Sequence, residues 1–146
     1  MAGPSGFFTD GLAETTQVHW LIDSGCTITI LSLKKYQEIP KEECPELKRH
    51  KYVLVTADDK PLQVHGQTEL NIKFGDQWIQ HRVIIAEINN DGLIGMDFLM
   101  RHHVTIDFST QKISFNGENV DVHCRASQYQ ACRVSIQEGT VIPAGT

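Results

Sequence analysis

Val18-His19-Trp20-Leu21-Ile22-Asp23-Ser24-Gly25-Cys26-Thr27-Ile28-Thr29-Ile30-Leu31 sets a short acidic loop between two apolar runs. β-Branched and aromatic residues dominate on either side. The stretch therefore predicts a strand over Val18 to Ile22, a tight loop at Asp23-Ser24-Gly25, and a second strand over Thr27 to Leu31. A carboxylate flanked in this way is costly to bury unless it is hydrogen-bonded or protonated, so its position calls for a reason. Gly25 lets the backbone turn closely beneath the carboxylate, and the Ser24 hydroxyl can donate or accept within the loop. Asp, Ser and Gly are also common turn formers, and by itself the tripeptide is more often a solvated turn than a site of chemistry.

Outward from the loop, Ser32 is placed to cap a short helix over Leu33 to Ile39 that Pro40 helps to end, and a polar connection, Lys41 to Lys51, follows. Tyr52 to Thr56 and Leu62 to Phe74 read as strands joined by a turn at Ala57 to Pro61. Beyond a turn at Gly75 and Asp76, Trp78 to Ile88 gives another strand, whose apolar centre, Val83 to Ile85, predicts burial on both faces. Leu93-Ile94-Gly95 leads into a helical stretch from Met96 to about His102, and Val104 to Phe108 with Lys112 to Phe115 forms a last hairpin. Upstream, Asp10 and Gly11 offer a turn. Strand, glycine-containing loop and short helix occur around Ile22 to Ile39 and again around Ile84 to His102, a weak repetition compatible with a pseudo-twofold axis.

The 146 residues, 40% hydrophobic and 21% charged, predict one mainly β globular domain with two short helices. A net charge of −5 with scattered Lys and Arg argues against nucleic acid as a partner and fits an extended peptide more easily. No apolar run approaches the roughly 20 residues that span a bilayer, and Met1 to Gly6 lacks the basic-then-apolar pattern of a secretion signal. Cys26, Cys44, Cys124 and Cys132 show no pairing pattern and read as reduced thiols in an intracellular setting, cytoplasmic or within an assembling particle. His123, Cys124 and Cys132 form one loose group where structural zinc usually shows two close pairs, so neither a metal nor any other cofactor is assigned.

Together, Leu21-Ile22-Asp23-Ser24-Gly25, the hairpin between, and Gly92-Leu93-Ile94-Gly95-Met96-Asp97-Phe98-Leu99 resemble a retropepsin domain of the long-terminal-repeat retrotransposon kind, gypsy-like or retroviral. The resemblance covers about residues 17 to 108, with Leu93 seventy residues after Asp23. It implies an acid-protease fold with one domain per chain and the active site at a homodimer interface. Residues 1–16 are then a leader or N-terminal strand region, 17–117 the protease domain and 118–146 an extension or linker.

The same resemblance implies roles. Asp23 would be the catalytic residue, and because only one such tripeptide is present, its partner would be Asp23 of a second chain related by twofold symmetry. Two carboxyl groups a few ångströms apart hold one proton between them. The ionised one would take a proton from water attacking the scissile carbonyl, and the other would donate to the carbonyl oxygen. Ser24 matches the hydroxyl that bonds across the dimer, Gly25 the glycine whose carbonyl faces substrate, and Leu93-Ile94-Gly95 the element packed behind the loop. Cys26 stands where many members have Ala and reads as a small buried hydrophobe. Ala57-Asp58-Asp59-Lys60 would form the tip of a flap closing over a peptide, without the glycines common in retroviral flaps. The family's function would be aspartic endopeptidase activity that matures its own polyprotein.

Two departures concern the dimer. Thr27 and Met96 stand where retroviral members often pair an acid with an Arg, and the N-terminal strand is poorly marked. Asp97 reads as a favourable charge at the start of its helix, and His102 and His103 sit at the helix end, where the dipole favours positive charge. Rival readings are a non-catalytic peptide-binding or dimerisation module of the same shape, and a monomeric β-domain acting as a structural segment.

Overall fold

The computed structural model describes residues 5–50, 53–55, 59–107, 109–115, 117–121, 123–126 and 135–136, and for 5, 6, 121, 123–126 and 135–136 the backbone only. The strands are β1 (Ser5–Ala13), β2 (Thr16–Ile22), β3 (Ile30–Ser32), β4 (Leu54–Val55), β5 (Val64–Phe74), β6 (Gln77–Ala86), β7 (Gly92–Ile94), β8 (Thr105–Asp107), β9 (Lys112–Phe115), β10 (Glu118–Asp121), β11 (His123–Ala126) and β12 (Ser135–Ile136). The helices are α1 (Leu33–Glu38) and α2 (Met96–Arg101).

Seven strands form the principal sheet in the order β11-β1-β2-β7-β3-β6-β5, and β1 also pairs with β5, so the sheet curls back on itself. The central part is symmetric. β7 and β3 are antiparallel neighbours, and each is flanked by a parallel partner, β2 beside β7 and β6 beside β3. A twofold rotation between β3 and β7 exchanges β2 with β6 and α1 with α2. The repetition in the sequence is thus a structural one.

Local chemistry accounts for the element ends. Ser32 caps α1, its hydroxyl accepting the Lys35 amide at 3.1 Å. The β5–β6 hairpin turns at Gly75, whose φ of +58° is the left-handed conformation that glycine adopts freely. Val83 to Ala86 are all buried, as expected of a strand covered on both faces. Asp10 and Gly11, expected to form a turn, instead lie inside β1, and the chain reverses at Glu14, with φ of 53°. The glycine serves another purpose: a Cβ on Gly11 would meet the Lys73 carbonyl oxygen at 2.4 Å, so β1 can lie against β5 only without a side chain there.

The main core lies between the curled sheet and α2. Phe74 stacks on Phe115 with ring centres 4.8 Å apart, and its edge meets Phe98 at 5.7 Å. Trp20, Phe74, Phe98 and Phe115 are all fully buried. Phe74 touches each of the other three rings. Phe74→Ala is expected to cost about 3–5 kcal/mol, read as a lower denaturant midpoint. A smaller second cluster gathers Leu21, Cys26, Ile30, Leu54, Ile84, Ala86 and Leu93 on the side of the Asp23 loop.

The segment expected as a flap contains β4, whose Leu54 carbonyl accepts the Leu62 amide at 2.8 Å. Val55 and Pro61 form the next rung of this hairpin. Tyr52, Thr56, Ala57 and Asp58 lie outside the described residues, whereas Asp59 and Lys60 are exposed.

Candidate active site

The Asp23 loop is held by backbone bonds from both sides. The Asp23 amide donates to the Ile94 carbonyl at 3.0 Å, and the Cys26 amide donates to the Asp23 carbonyl at 3.0 Å. On the carboxylate itself, Oδ1 accepts the Gly25 amide at 3.0 Å. Asp23 is only 8% exposed, while Ser24 and Gly25 are exposed beside it. The tripeptide is therefore a tight loop that points a nearly buried carboxylate along a fixed direction, not a solvated turn.

Leu93-Ile94-Gly95 supports the loop from behind. In β7, Leu93 and Ile94 run parallel to Leu21 and Ile22 of β2. The Met96 amide donates to the Cys26 carbonyl at 2.8 Å and the Asp97 amide to the Thr27 carbonyl at 3.2 Å, which pins the start of α2 to the loop. Close approach requires a glycine at 95, because a Cβ there would lie 2.6 Å from the Ile28 carbonyl group. Cys26 is fully buried and its thiol donates to the Ile28 carbonyl at 3.0 Å, in keeping with a small apolar filler.

A polar network that the sequence did not reveal braces the far side of the loop. The buried Thr29 hydroxyl accepts the Gly95 amide at 3.1 Å and donates to Asp97 Oδ1 at 2.7 Å. Asp97 Oδ1 also accepts the Phe98 amide at 2.7 Å, and Oδ2 meets His81 Nε2 at 3.0 Å. His81 Nδ1 lies 3.0 Å from His102 Nε2. Thr29, Asp97, His81 and His102 form one continuous polar chain. Asp97 thus does more than favour a helix start. It ties α2 to the loop and to β6.

Burial pushes the Asp97 carboxyl up, but hydrogen bonds from His81 and Thr29 outweigh it and hold the group below its usual 3.8. His102 reverses the expectation drawn from the helix end. Burial, together with the His81 and Arg101 charges, holds it below its usual 6.5. A helix of six residues offers only a weak dipole, and that loses to desolvation. In the unfolded chain His102 protonates first as pH falls, so stability present above pH 6.5 is lost below it. Asp97 acts in the same direction lower down: its contribution, complete above 3.8, disappears as pH falls through the depressed folded value. Chemical denaturation across this range is expected to show the first loss beginning near pH 6.5, and His102→Gln, which keeps a donor toward His81, is expected to flatten it.

Among the described residues, no group of three or more His, Cys, Asp or Glu side chains is placed to hold a metal ion. Cys132 and the side chains of His123 and Cys124 lie outside the described residues. No described helix is long and apolar enough to cross a membrane.

No protein-family model matches the chain. Among solved structures, it is similar to the retroviral protease-like domain of Ddi1 from Leishmania major, with a TM-score of 0.68 and 17% identity over 81% of this chain and 94% of that one. The fold is retropepsin-like. The EIAV protease, solved with the inhibitor HBY-793, is also similar, with a TM-score of 0.52 and 19% identity over 69% of this chain and 91% of that one. At such identities the likeness establishes the retropepsin-like fold, and activity must be argued from the residues.

Proposed function

We propose that the chain is an aspartic endopeptidase that works as a homodimer, hydrolysing peptide bonds with water activated between two copies of Asp23. The observation that carries this reading is the fixed, nearly buried Asp23 carboxylate on a loop that a retropepsin-like fold provides once per chain. One carboxylate cannot both accept the proton of the attacking water and donate to the carbonyl oxygen in the same step. The second must come from elsewhere, and twofold pairing supplies it with the same geometry.

In this reading the ionised carboxylate takes a proton from water as the oxygen attacks the scissile carbonyl. The protonated partner gives its proton to the carbonyl oxygen, and proton transfer to the amine nitrogen then releases the two peptides. Ser24 would bond across the dimer and Gly25 would present its carbonyl to an extended substrate, roles that the exposure of both residues supports. Asp59 and Lys60 belong to the flap, and processing of the chain's own polyprotein is the proposed role. Neither nucleic acid nor a membrane has a part in it.

Sedimentation across a wide concentration range, run alongside cleavage of apolar peptides at mildly acidic pH with and without a statine-type inhibitor, tests the proposal. A concentration-dependent dimer with inhibitor-sensitive cleavage is expected. A monomer at every concentration would refute it, and a dimer that binds peptides without cutting them would identify a binding module instead.

A further inference from the structure

β12 pairs with β4, Ser135 opposite Val55 and Ile136 opposite Leu54. This joins the far end of the chain to the strand that carries the proposed flap. Leu54 turns its carbonyl toward the Leu62 amide within the hairpin, so strand alternation turns the Val55 N–H and C=O toward Ser135. Leu54 belongs to the same buried apolar cluster as Leu21, Cys26, Ile30 and Leu93. Leu21 and Cys26 lie two residues before and three after Asp23, and Leu93 adjoins the Ile94 carbonyl that holds the Asp23 amide. The edge of β4 that receives β12 therefore belongs to a strand anchored in the apolar cluster beside the Asp23 loop.

Adding a strand to an exposed edge is a general way for a protein to take an extended peptide, with main-chain bonds giving affinity and wall residues giving selectivity. From these placements we infer that the outer edge of β4 is a strand-docking site, and that the chain's own Ser135–Ile136 occupies it in cis as a resident pseudo-substrate. The inference deepens the peptidase reading and rests on it for the word substrate. Tethering makes the occupant hard to displace, because a segment on the same chain competes at an effective concentration on the order of millimolar. Peptides supplied from outside must first dislodge it.

Proline at 135 removes the N–H that faces the Val55 carbonyl and cannot continue the ladder. Two measurements on the full chain test the inference, comparing Ser135→Pro with the parent, both in an Asp23→Asn background so that no probe is cut. In the first, amide exchange at Val55 is expected to speed up about tenfold or more in Ser135→Pro, while exchange at Leu62, bonded to Leu54 within the hairpin, stays unchanged. In the second, a fluorescent peptide copying residues 131–140, Ala131 to Thr140, is expected to bind Ser135→Pro at least about tenfold more tightly than the parent. The same peptide carrying proline in place of its serine is expected not to bind.

Unchanged exchange at Val55 would overturn the docking. Faster exchange with equal peptide affinity would overturn the claim that the tail fills a peptide site. Neither readout uses cleavage, so failure of the peptidase reading would show up separately, as absence of Asp23-dependent hydrolysis.

Discussion

The Asp23→Asn chain is expected to lose peptide hydrolysis by a factor on the order of 10³ or more while keeping its fold. Asparagine has nearly the shape of aspartate and retains an oxygen at the position that accepts the Gly25 amide, so the loop keeps its bond. What disappears is the group that can exchange a proton with water. Stability is expected to stay within about 1 kcal/mol of the parent, measured by denaturant unfolding. Full activity in this variant would end the aspartic-peptidase reading.

Mixing gives a sharper version of the same experiment. Equal amounts of parent and Asp23→Asn, allowed to exchange subunits freely, should retain about one quarter of the parent activity, the fraction of dimers with two intact copies. An enzyme acting as a monomer would retain about one half. The difference separates a site shared between chains from one complete in each.

Gly95→Ala is expected to damage the fold severely. The backbone at Gly95 is extended, with φ of −95° and ψ of −178°, so alanine meets no conformational objection. The objection is space. Its Cβ would sit 2.6 Å from the Ile28 carbonyl carbon and oxygen and 2.9 Å from the Cys26 carbonyl oxygen, all main-chain atoms. Those atoms cannot step aside without breaking the Met96–Cys26 bond and the bond from the Gly95 amide to Thr29. Overpacking against fixed backbone is expected to cost about 3 kcal/mol or more, a large share of the roughly 5–15 kcal/mol that holds a domain of this kind together. The denaturant midpoint should fall accordingly. A variant with an unchanged midpoint would mean that the Asp23 loop can shift freely away from α2.

The Asp23 loop, the capped helix after Ser32 and the hairpin at Gly75 were legible because each depends on neighbours in sequence. Ser32 and Lys35 are three residues apart, and a tripeptide suffices to mark a tight turn. What could not be read depends on register. Gly11 looks like a turn until β5 is known to lie against it, and the pairing of Ala13 with Ile72 that brings them together joins residues 59 apart in sequence. His81 sits in an otherwise ordinary strand of alternating burial, and nothing local reveals that it faces Asp97. One signal was available for Thr29. A polar residue amid Ile28, Ile30 and Leu31 needs a partner if buried, and Asp97 is among the few acidic groups near the matching loop.

Ser5 and Ala126 close the outer end of the β1–β11 ladder, a hundred and twenty-one residues apart in sequence and about 5 Å apart in space. Fraying of either strand therefore strips the other of its partner, so the two ends of this ladder open together.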